Sequence, residues 1–489
     1  MKIEELPNDI EALKSLVVQL NLENSNLKDT ILLLQRKNFG PSSEASKDQL
    51  MLFDELEDIE DADEFDVDEE ITYKRKKRGK RSPLPPELPR VEEIIDLSDE
   101  EKEGMKCIGE EVTEKLEITP AKVFVRRIVR KKYVPIEGGD DTVKVAPVPA
   151  ELLPKSMASA SLIAYIITAK YCDALPLYRQ EHIFKRVSAE ITRQSMARWL
   201  IKVSDQVVPL YNLLQEKLLS KSYIQMDETT VQVLKEDGKK ATSKSYMWVR
   251  HAPGEQPILL FDYAPGRAGT VPLELLEGFK GYLQVDGYDG YSSACEQYKL
   301  DRLGCWDHCR RKFFEASKTS NGKGIGKKGI DRIKKLYEIE DKIRHLSPEE
   351  KKKIRNEKSL PILEEFKEWI DGLRGKITPE SRAGKAIAYA CNEWNYLVRY
   401  AEDGRLNISN AWVENAIRPF CIGRKNWLFS ASVNGAKASA MYYSLIETAK
   451  MNGLDPFDYL NRMLDKLPHA KTVDDFERLL PLKGQFLAN

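Results

Sequence analysis

Tyr223-Ile-Gln-Met-Asp-Glu-Thr-Thr-Val-Gln-Val-Leu234 is the stretch on which the predicted fold depends. It is rich in β-branched residues and contains no Gly or Pro, which is typical of a strand. Side chains alternate across a strand, so Asp227 shares one face with Gln225, and Glu228 points from the opposite face. Only one of these two carboxylates is therefore expected to join a given site, and Glu228 is expected to matter much less than Asp227.

A second strand-like stretch is Gly281-Tyr-Leu-Gln-Val-Asp286-Gly-Tyr-Asp-Gly-Tyr291, which runs from apolar residues into Asp286. The glycines that follow Asp286 suit a strand that ends at an open sheet edge. Between the two stretches, residues 245–251 and 257–263 predict two further strands, and residues 269–279 predict a helix.

A third stretch, Asn407-Ile-Ser-Asn-Ala-Trp-Val-Glu414-Asn-Ala-Ile-Arg418-Pro-Phe420, predicts a short helix that carries Glu414. Asn410 is the predicted N-cap of this helix. Pro419 should end or kink it, because a proline inside a helix loses one hydrogen bond and clashes with the preceding turn.

Asp227, Asp286 and Glu414 together form a possible ligand set for two hard divalent cations such as Mg²⁺ or Mn²⁺. Such a pair, roughly 4 Å apart, serves in-line phosphoryl displacement. Two ordinary alternatives stay open at this point. An aspartate on a strand is often a solvated or turn-forming side chain, and Glu414 can pair with Arg418 one helical turn away.

Six sequence motifs resemble those of one protein family. They occur in the same order, and the resemblance covers nearly the whole chain. They are residues 226–229, 283–288, 305–314, 413–419, 423–429 and 443–453. The chain thereby resembles the transposase of the bacterial insertion sequence 66 family. The resemblance implies membership of the DDE superfamily, a ribonuclease-H-like core, and a catalytic, metal-binding triad of Asp227, Asp286 and Glu414.

Charge is distributed unevenly along the 489 residues, which carry 77 basic and 78 acidic side chains and a net charge of −1. Residues 54–70 hold 12 Asp or Glu and no Lys or Arg, so the remainder carries about +11, which is −1 plus 12. No apolar run is long enough to span a membrane, no secretory signal opens the chain, and the seven cysteines are not closely paired. We therefore expect a cytoplasmic protein with no membrane partner, and the family resemblance implies that it is bacterial and nucleoid-associated.

Residues 1–40 predict a leucine-zipper coiled coil, with a heptad seam formed by Leu13, Leu20, Leu27 and Leu34 and a second by Ile10, Val17, Asn24 and Ile31. Apolar a and d positions over about four heptads favour helix pairing, and a single Asn at an a position favours a two-stranded register. The alternative is an amphipathic helix that packs on its own domain. We expect a homodimer or higher oligomer.

Residues 41–90 predict a flexible linker with an acidic run followed by a basic block, and residues 91–150 a small β-rich module. Residues 123–134 are strongly β-prone and basic. The family resemblance implies a zinc-binding module here, but Cys107 is the only cysteine in it, and a structural zinc site needs about four ligands. We therefore expect no zinc in this degenerate module.

Residues 155–220 predict helices, and the helices at 179–186 and 192–203 resemble a helix-turn-helix. In that interpretation Thr192 is the N-cap of the second helix, and Arg193, Gln194 and Arg198 face a DNA groove. The alternative, two packed helices that support the next domain, stays open.

Residues 221–435 predict the ribonuclease-H-like domain with a helical insertion at about 320–403, and residues 436–489 a C-terminal helical region. Cys305, His308 and Cys309 are interpreted as buried thiols beside a polar histidine, because no second ligand pair is apparent. The resemblance suggests His308 and Arg310 as supports of the active site. Further DNA contacts are predicted at Arg418, Arg424, Lys425 and Trp427, where basic and aromatic residues alternate.

The predicted fold class is thus α+β multidomain, with a coiled coil, a β-rich module, a helical DNA-binding region and an α/β catalytic domain. The predicted function is transposition: cleavage of insertion-sequence ends and joining of the 3′-hydroxyl to target DNA. The predicted partners are terminal inverted repeats, target DNA and accessory proteins of the same element. Two alternatives are a ribonuclease-H-like nuclease without strand transfer and a dimeric DNA-binding protein with an inactive site.

We predict that removal of the N-terminal segment weakens self-association, because the heptad seams supply the contact between chains. Light scattering on the full chain and on a chain that begins at Ser82 should give a lower mass for the shorter protein at equal molar concentration. Equal association of the two proteins would place the contact elsewhere.

Overall fold

The computed structural model describes Asp9 and residues 123–133, 144–145, 147–318 and 324–486. Apart from Asp9, the predicted coiled coil and the linker lie outside these residues. The chain divides into two compact units, one of residues 45–146 and one of residues 1–44 and 147–489.

The smaller unit contains two short antiparallel strands, β1 (Lys132–Tyr133) and β2 (Lys144–Val145). Residues 123–131 are strongly β-prone in sequence, but they have no regular structure and expose their side chains. Strand propensity produces a ladder only where a partner chain accepts the backbone hydrogen bonds. Among the described residues 123–133, only Lys132 and Tyr133 have such a partner, which is β2.

From residue 147 onward, the described part of the larger unit starts with four helices. They are α1 (Ala160–Tyr171), α2 (Leu177–Arg186), α3 (Arg193–Gln206) and α4 (Val208–Leu219). Thr192 caps α3 as predicted, since its hydroxyl accepts a hydrogen bond from the Ser195 N–H at 3.3 Å. The helix α3 buries Met196, Leu200 and Val203. This apolar spacing explains why its opposite face is left to polar side chains.

A six-stranded mixed sheet follows. Its strands are β3 (Tyr223–Lys235), β4 (Lys244–Ala252), β5 (Ile258–Ala264), β6 (Tyr282–Gln284), β7 (Asp301–Leu303) and β8 (Ser430–Ser432). The order is β5-β4-β3-β6-β7, with β8 parallel to the far end of β3. Strand β4 is antiparallel to both β3 and β5. Strand β6 is parallel to β3, and β7 is parallel to β6. The predicted helix at 269–279 is shorter, α5 (Thr270–Leu275), and α6 (Ser292–Tyr298) precedes β7.

The parallel register between β3 and β6 aligns Tyr223 with Tyr282 and Gln225 with Gln284. Asp227 and Asp286 each follow two residues after the aligned glutamines. Asp227, still within β3, and Asp286, just beyond the end of β6, therefore lie next to each other on neighbouring strands.

A buried polar network fixes this register. The Gln225 Nε2 atom donates to the Gln284 Oε1 atom at 2.7 Å and to the Ser409 carbonyl at 3.1 Å. The Gln284 amide in turn donates to the Asn407 carbonyl at 2.8 Å. The Oε1 atom of Gln225 lies 3.0 Å from the His251 Nδ1 atom on β4. The network thus joins three strands to the segment that leads to Glu414.

A helical region separates β7 from that segment. It contains α7 (Trp306–Lys318), α8 (Ile325–Ile343), α9 (Pro348–Ile354), α10 (Leu360–Leu373), α11 (Arg382–Asn392) and α12 (Trp394–Leu397). Its core is aromatic: Trp306 packs edge-on against Phe366 at 5.6 Å, and Phe366 stacks on Trp394 at 6.0 Å.

Arg355 connects this helical region to the chain that follows it. Its side chain is 2 % exposed and donates to Glu340 at 2.6 Å. It also donates to the carbonyls of Tyr400, Asp403 and Leu406 at 2.8–2.9 Å. One buried guanidinium therefore holds the loop that approaches Glu414.

The chain closes with α13 (Ala411–Trp427), α14 (Val433–Met451), α15 (Pro456–Lys466) and α16 (Val473–Glu477). The prediction of a short helix ending near Pro419 is wrong, because α13 continues through Pro419 to Trp427. Burial of Ile417, Phe420 and Cys421 on both sides of the proline offsets the lost hydrogen bond. No helix in the described part of the chain is long and apolar enough to cross a membrane.

We predict that Arg355→Ala lowers the free energy of unfolding by about 3–5 kcal/mol, because it leaves Glu340 and three carbonyls without their buried donor. Urea unfolding would measure the loss. The matched control is Arg344→Ala, since Arg344 is 84 % exposed and pairs with Asp341 at 3.7 Å. A loss equal to that of the control would show that Arg355 does not anchor the loop.

We further predict that His251 makes stability depend on pH. Burial lowers the pKa of His251 from 6.5 to about 4. The unfolded chain therefore binds a proton that the folded chain excludes, so stability is complete above pH 6.5 and falls as the pH drops toward 4. The free energy of unfolding of the natural protein should lose roughly 3 kcal/mol more over this interval than that of His251→Gln. Parallel pH profiles of the two proteins would contradict this.

Candidate active site

Asp227 lies in the middle of β3, opposite Val249 of β4, and its Oδ1 atom accepts the Glu228 N–H at 2.8 Å. Asp286 lies just beyond β6, and its Oδ1 atom accepts the Tyr288 N–H at 3.0 Å. This local hydrogen bond fixes the carboxylate direction where the glycine-containing turn begins. The Asp286 side chain remains 22 % exposed, so it is open to solvent at the sheet edge.

Glu414 occupies the first turn of α13 and is almost completely buried. Its Oε1 atom lies 3.5 Å from His308 Nδ1, and its Oε2 atom lies 3.7 Å from Arg311 Nη2. Both of these side chains come from α7. Asn410 is at the N-cap position as predicted, but its side chain makes no capping hydrogen bond. Arg311, rather than the predicted support Arg310, contacts Glu414.

Electrostatics link the three carboxylates. Burial raises the pKa of Asp227 well above its ordinary value, and the charges of Glu228, Glu414 and Asp286 raise it further. Burial also raises the pKa of Glu414, against the opposing effect of His308 and Arg311, and Asp286 adds to the rise. Carboxylates that repel one another in a buried site form an environment suited to a bound cation.

Glu228 contributes to the same electrostatic environment, since its charge raises the pKa of Asp227, and its expected lesser importance stays a prediction. It forms an ion pair with Arg267 and accepts a hydrogen bond from the Tyr291 hydroxyl at 2.5 Å. Arg267 also lies 4.0 Å from the Asp286 carboxylate and packs over the Tyr288 ring at 3.7 Å. The alternation of side chains along β3 did not reveal that one arginine, Arg267, contacts both Glu228 and Asp286.

The predicted DNA contacts divide into exposed and structural residues. Arg193, Gln194 and Arg198 are exposed on α3, and Lys425 is exposed on α13. Arg424, in contrast, donates to the hydroxyls of Thr229 and Thr230 at 3.1 Å and to the Thr230 carbonyl. Its guanidinium therefore joins α13 to β3, and its role in DNA binding stays a prediction.

Two other predicted contacts lie partly within the protein. Trp427 packs edge-on against Phe420 at 5.5 Å and is half-buried. Arg418 is also half-buried in the middle of α13. Their roles in DNA binding stay predictions.

Sequence reasoning missed Arg267, Arg311 and the paired glutamines Gln225 and Gln284. One signal was available for the glutamines: both strands carry the pattern Tyr-x-Gln-x-Asp, at residues 223–227 and 282–286. This repetition is the pattern that the parallel register aligns. For the two arginines, the sequence carries no comparable spacing.

Comparison with protein families gives four matches that together extend along most of the chain. The family described as "Transposase IS66 family" matches residues 155–438, and "IS66 C-terminal element" matches residues 444–482. "Transposase C of IS166 homeodomain", a leucine-zipper model, matches residues 26–92. "Zinc-finger binding domain of transposase IS66" matches residues 100–134.

Similar proteins occur in Sinorhizobium fredii (strain NBRC 101917 / NGR234). Uncharacterized protein y4qI is 30 % identical, and its alignment covers 98 % of this chain and 98 % of the relative. Uncharacterized protein y4jD is 29 % identical over 510 residues, with 98 % and 97 % coverage. Because the first family match spans more than half of the sequence and includes all three carboxylates, this chain belongs to the IS66 family of transposases.

Proposed function

We propose that the protein is a DDE transposase that cuts the ends of an insertion sequence and joins the 3′-hydroxyl to target DNA. The observation that carries the proposal is the grouping of Asp227, Asp286 and Glu414, which come from three distant parts of the sequence. The charges of Glu414 and Asp286 raise the pKa of Asp227, and the charge of Asp286 raises the pKa of Glu414. Family membership supports a role in DNA processing, and the carboxylate group supplies a specific site for it.

The sheet supports the further proposal of a ribonuclease-H-like catalytic core. Numbered from β3, its order is third, second, first, fourth and fifth, with the first three strands antiparallel and the last two parallel. This is the order expected for such a core. It puts the first and fourth strands side by side, so that each delivers one aspartate to the same edge.

The donor set fits hard divalent cations. Asp227, Asp286 and Glu414 offer only carboxylate oxygens, which Mg²⁺ and Mn²⁺ prefer, and burial without a cation raises the pKa of two of them. These three residues would hold the cations. The bound metal would supply positive charge against the charge that develops on a scissile phosphate.

The protein's own residues orient this group. Arg311 and His308 hold Glu414 from α7, and the Tyr288 N–H holds Asp286. Arg267, fixed by Glu228 and Tyr288, presents a guanidinium next to Asp286 that remains 37 % exposed. A partly exposed guanidinium at this place can receive a phosphate oxygen of the DNA backbone.

DNA recognition is proposed for α3, which exposes Arg193, Gln194 and Arg198 at or near its N-terminal end. The Arg193 guanidinium lies over the Tyr178 ring of α2 at 5.7 Å, so the two helices share a contact at this surface. We propose that this surface binds the terminal inverted repeats, and that the N-terminal segment pairs two protomers. We also propose that the protein acts at the bacterial nucleoid and that accessory proteins of the same element are its partners.

We predict that Asp227→Asn, Asp286→Asn and Glu414→Gln each reduce Mg²⁺-dependent cleavage of terminal-repeat DNA by at least about 100-fold, while DNA affinity stays unchanged. Each replacement keeps the shape of the side chain and removes the charge that binds the cation. Gel assays of cleavage and of DNA binding on the same preparations would measure both quantities.

The matched control is Asp301→Asn, because Asp301 is 61 % exposed on β7 and pairs at a distance of 3.9 Å with Arg399. It should cut as well as the natural protein. Normal cleavage by Asp286→Asn would sink the assignment of the triad. Cleavage without joined products would indicate a nuclease, and binding without any cleavage by the natural protein would indicate an inactive DNA-binding protein.

A further inference from the structure

One further cluster of metal-binding side chains lies beside the carboxylate group. The Cys305 Sγ atom, a ring nitrogen of His308 and a carboxylate oxygen of Glu414 all lie within 4.8 Å of one another. Cys305 immediately precedes α7, His308 is one turn further on, and Glu414 arrives from α13. The sequence interpretation found no further ligand for Cys305 and His308, because Glu414 is more than 100 residues away.

Two of these atoms are buried without a hydrogen-bond partner among the described residues, and they are His308 Nδ1 and Glu414 Oε1. They face each other at 3.5 Å, and the Glu414 side chain is only 8 % exposed. A buried acceptor without a partner is destabilising, and more so when it is charged. The observation is independent of the cluster's composition, and it supports a ligand that both atoms would share.

The distances suit a small tetrahedral cation. Nitrogen and oxygen ligands at 2.0–2.1 Å from zinc stand about 3.3 Å apart, and a sulfur at 2.3 Å stands about 3.6 Å from either. The observed 3.5 Å between His308 Nδ1 and Glu414 Oε1 is about 0.2 Å longer than this separation. The 4.8 Å limit for the whole group leaves an inward movement of about 1 Å for the sulfur, within the reach of a side-chain rotation.

The nearby thiol of Cys309 does not belong to the cluster. Its side chain is buried within the aromatic core of the helical region, together with Trp306 and Phe313. The two cysteines on this helix therefore have separate environments. Cys309 is a core residue, as the sequence interpretation expected, and Cys305 faces His308 and Glu414.

We propose that Cys305, His308 and Glu414 form a binding site for a borderline divalent transition metal such as Zn²⁺, with the fourth position open. One thiolate, one imidazole and one carboxylate are ligands that select Zn²⁺ or Co²⁺ over Mg²⁺. The site shares only Glu414 with the all-oxygen group. If the proposed function is correct, a metal bound here withdraws Glu414 from the group that holds Mg²⁺, and zinc inhibits cleavage.

Co²⁺ provides a direct test, because a cobalt–thiolate bond gives a charge-transfer band and a tetrahedral site gives visible bands. The titration uses the full chain with Cys107→Ser, so that a signal from the small unit is excluded. We expect both bands, their loss on addition of Zn²⁺, and an affinity at least about 100-fold lower in Cys305→Ala, because even indirect supports of a metal contribute 10–100-fold.

The matched control is Cys309→Ala, which removes a buried thiol from the same helix and should keep the bands. His308→Gln is a second ligand variant, and thermal unfolding without metal shows which variants are folded. Absence of the charge-transfer band in the folded natural chain would overturn the proposal, as would equal Co²⁺ affinity in Cys305→Ala and Cys309→Ala.

Cleavage assays separate this proposal from the proposed function. Zinc should inhibit Mg²⁺-dependent cleavage by the natural chain. Cobalt bands in a protein that cuts no DNA would uphold the metal site and contradict the transposase assignment. Mg²⁺-dependent cleavage by a folded protein without cobalt bands would uphold the transposase and contradict the metal site.

Discussion

The side-chain hydrogen bond between Gln225 and Gln284 is the interaction on which the rest of the site depends. Both amides are fully buried, where an unpaired amide is costly, so each must find its partners in one arrangement. That arrangement fixes the register of β3 against β6. Because Asp227 and Asp286 each lie two residues beyond their glutamine, a slip of one residue would send one aspartate to the other face of the sheet.

The same amides also receive the segment that brings Glu414. Their remaining hydrogens bond to the carbonyls of Ser409 and Asn407, a few residues before α13 begins. Arg355 holds the preceding loop through three further carbonyls. A long helical insertion therefore does not loosen the position of Glu414, since these hydrogen bonds fasten the chain between residues 400 and 409, directly before α13.

Basic side chains contact the carboxylates in two places, one in the protein interior and one near the solvent. Arg311 and His308 meet Glu414 in the interior, whereas Arg267 meets Asp286 and Glu228 near the solvent. The inner pair holds a ligand in position. The outer arginine keeps part of its guanidinium open to solvent while it pairs with the buried Glu228.

The sequence by itself determined the strands that carry Asp227 and Asp286, the helix that carries Glu414, and the family, because these depend on local patterns of residue type. It did not determine that α13 continues past Pro419, that residues 123–131 lack regular structure, or that Glu228 pairs with Arg267. Nor did it join Cys305 and His308 to Glu414. Each of these depends on which groups, distant in sequence, meet in space. Burial and partner availability then override local propensity, and only the tertiary structure specifies them.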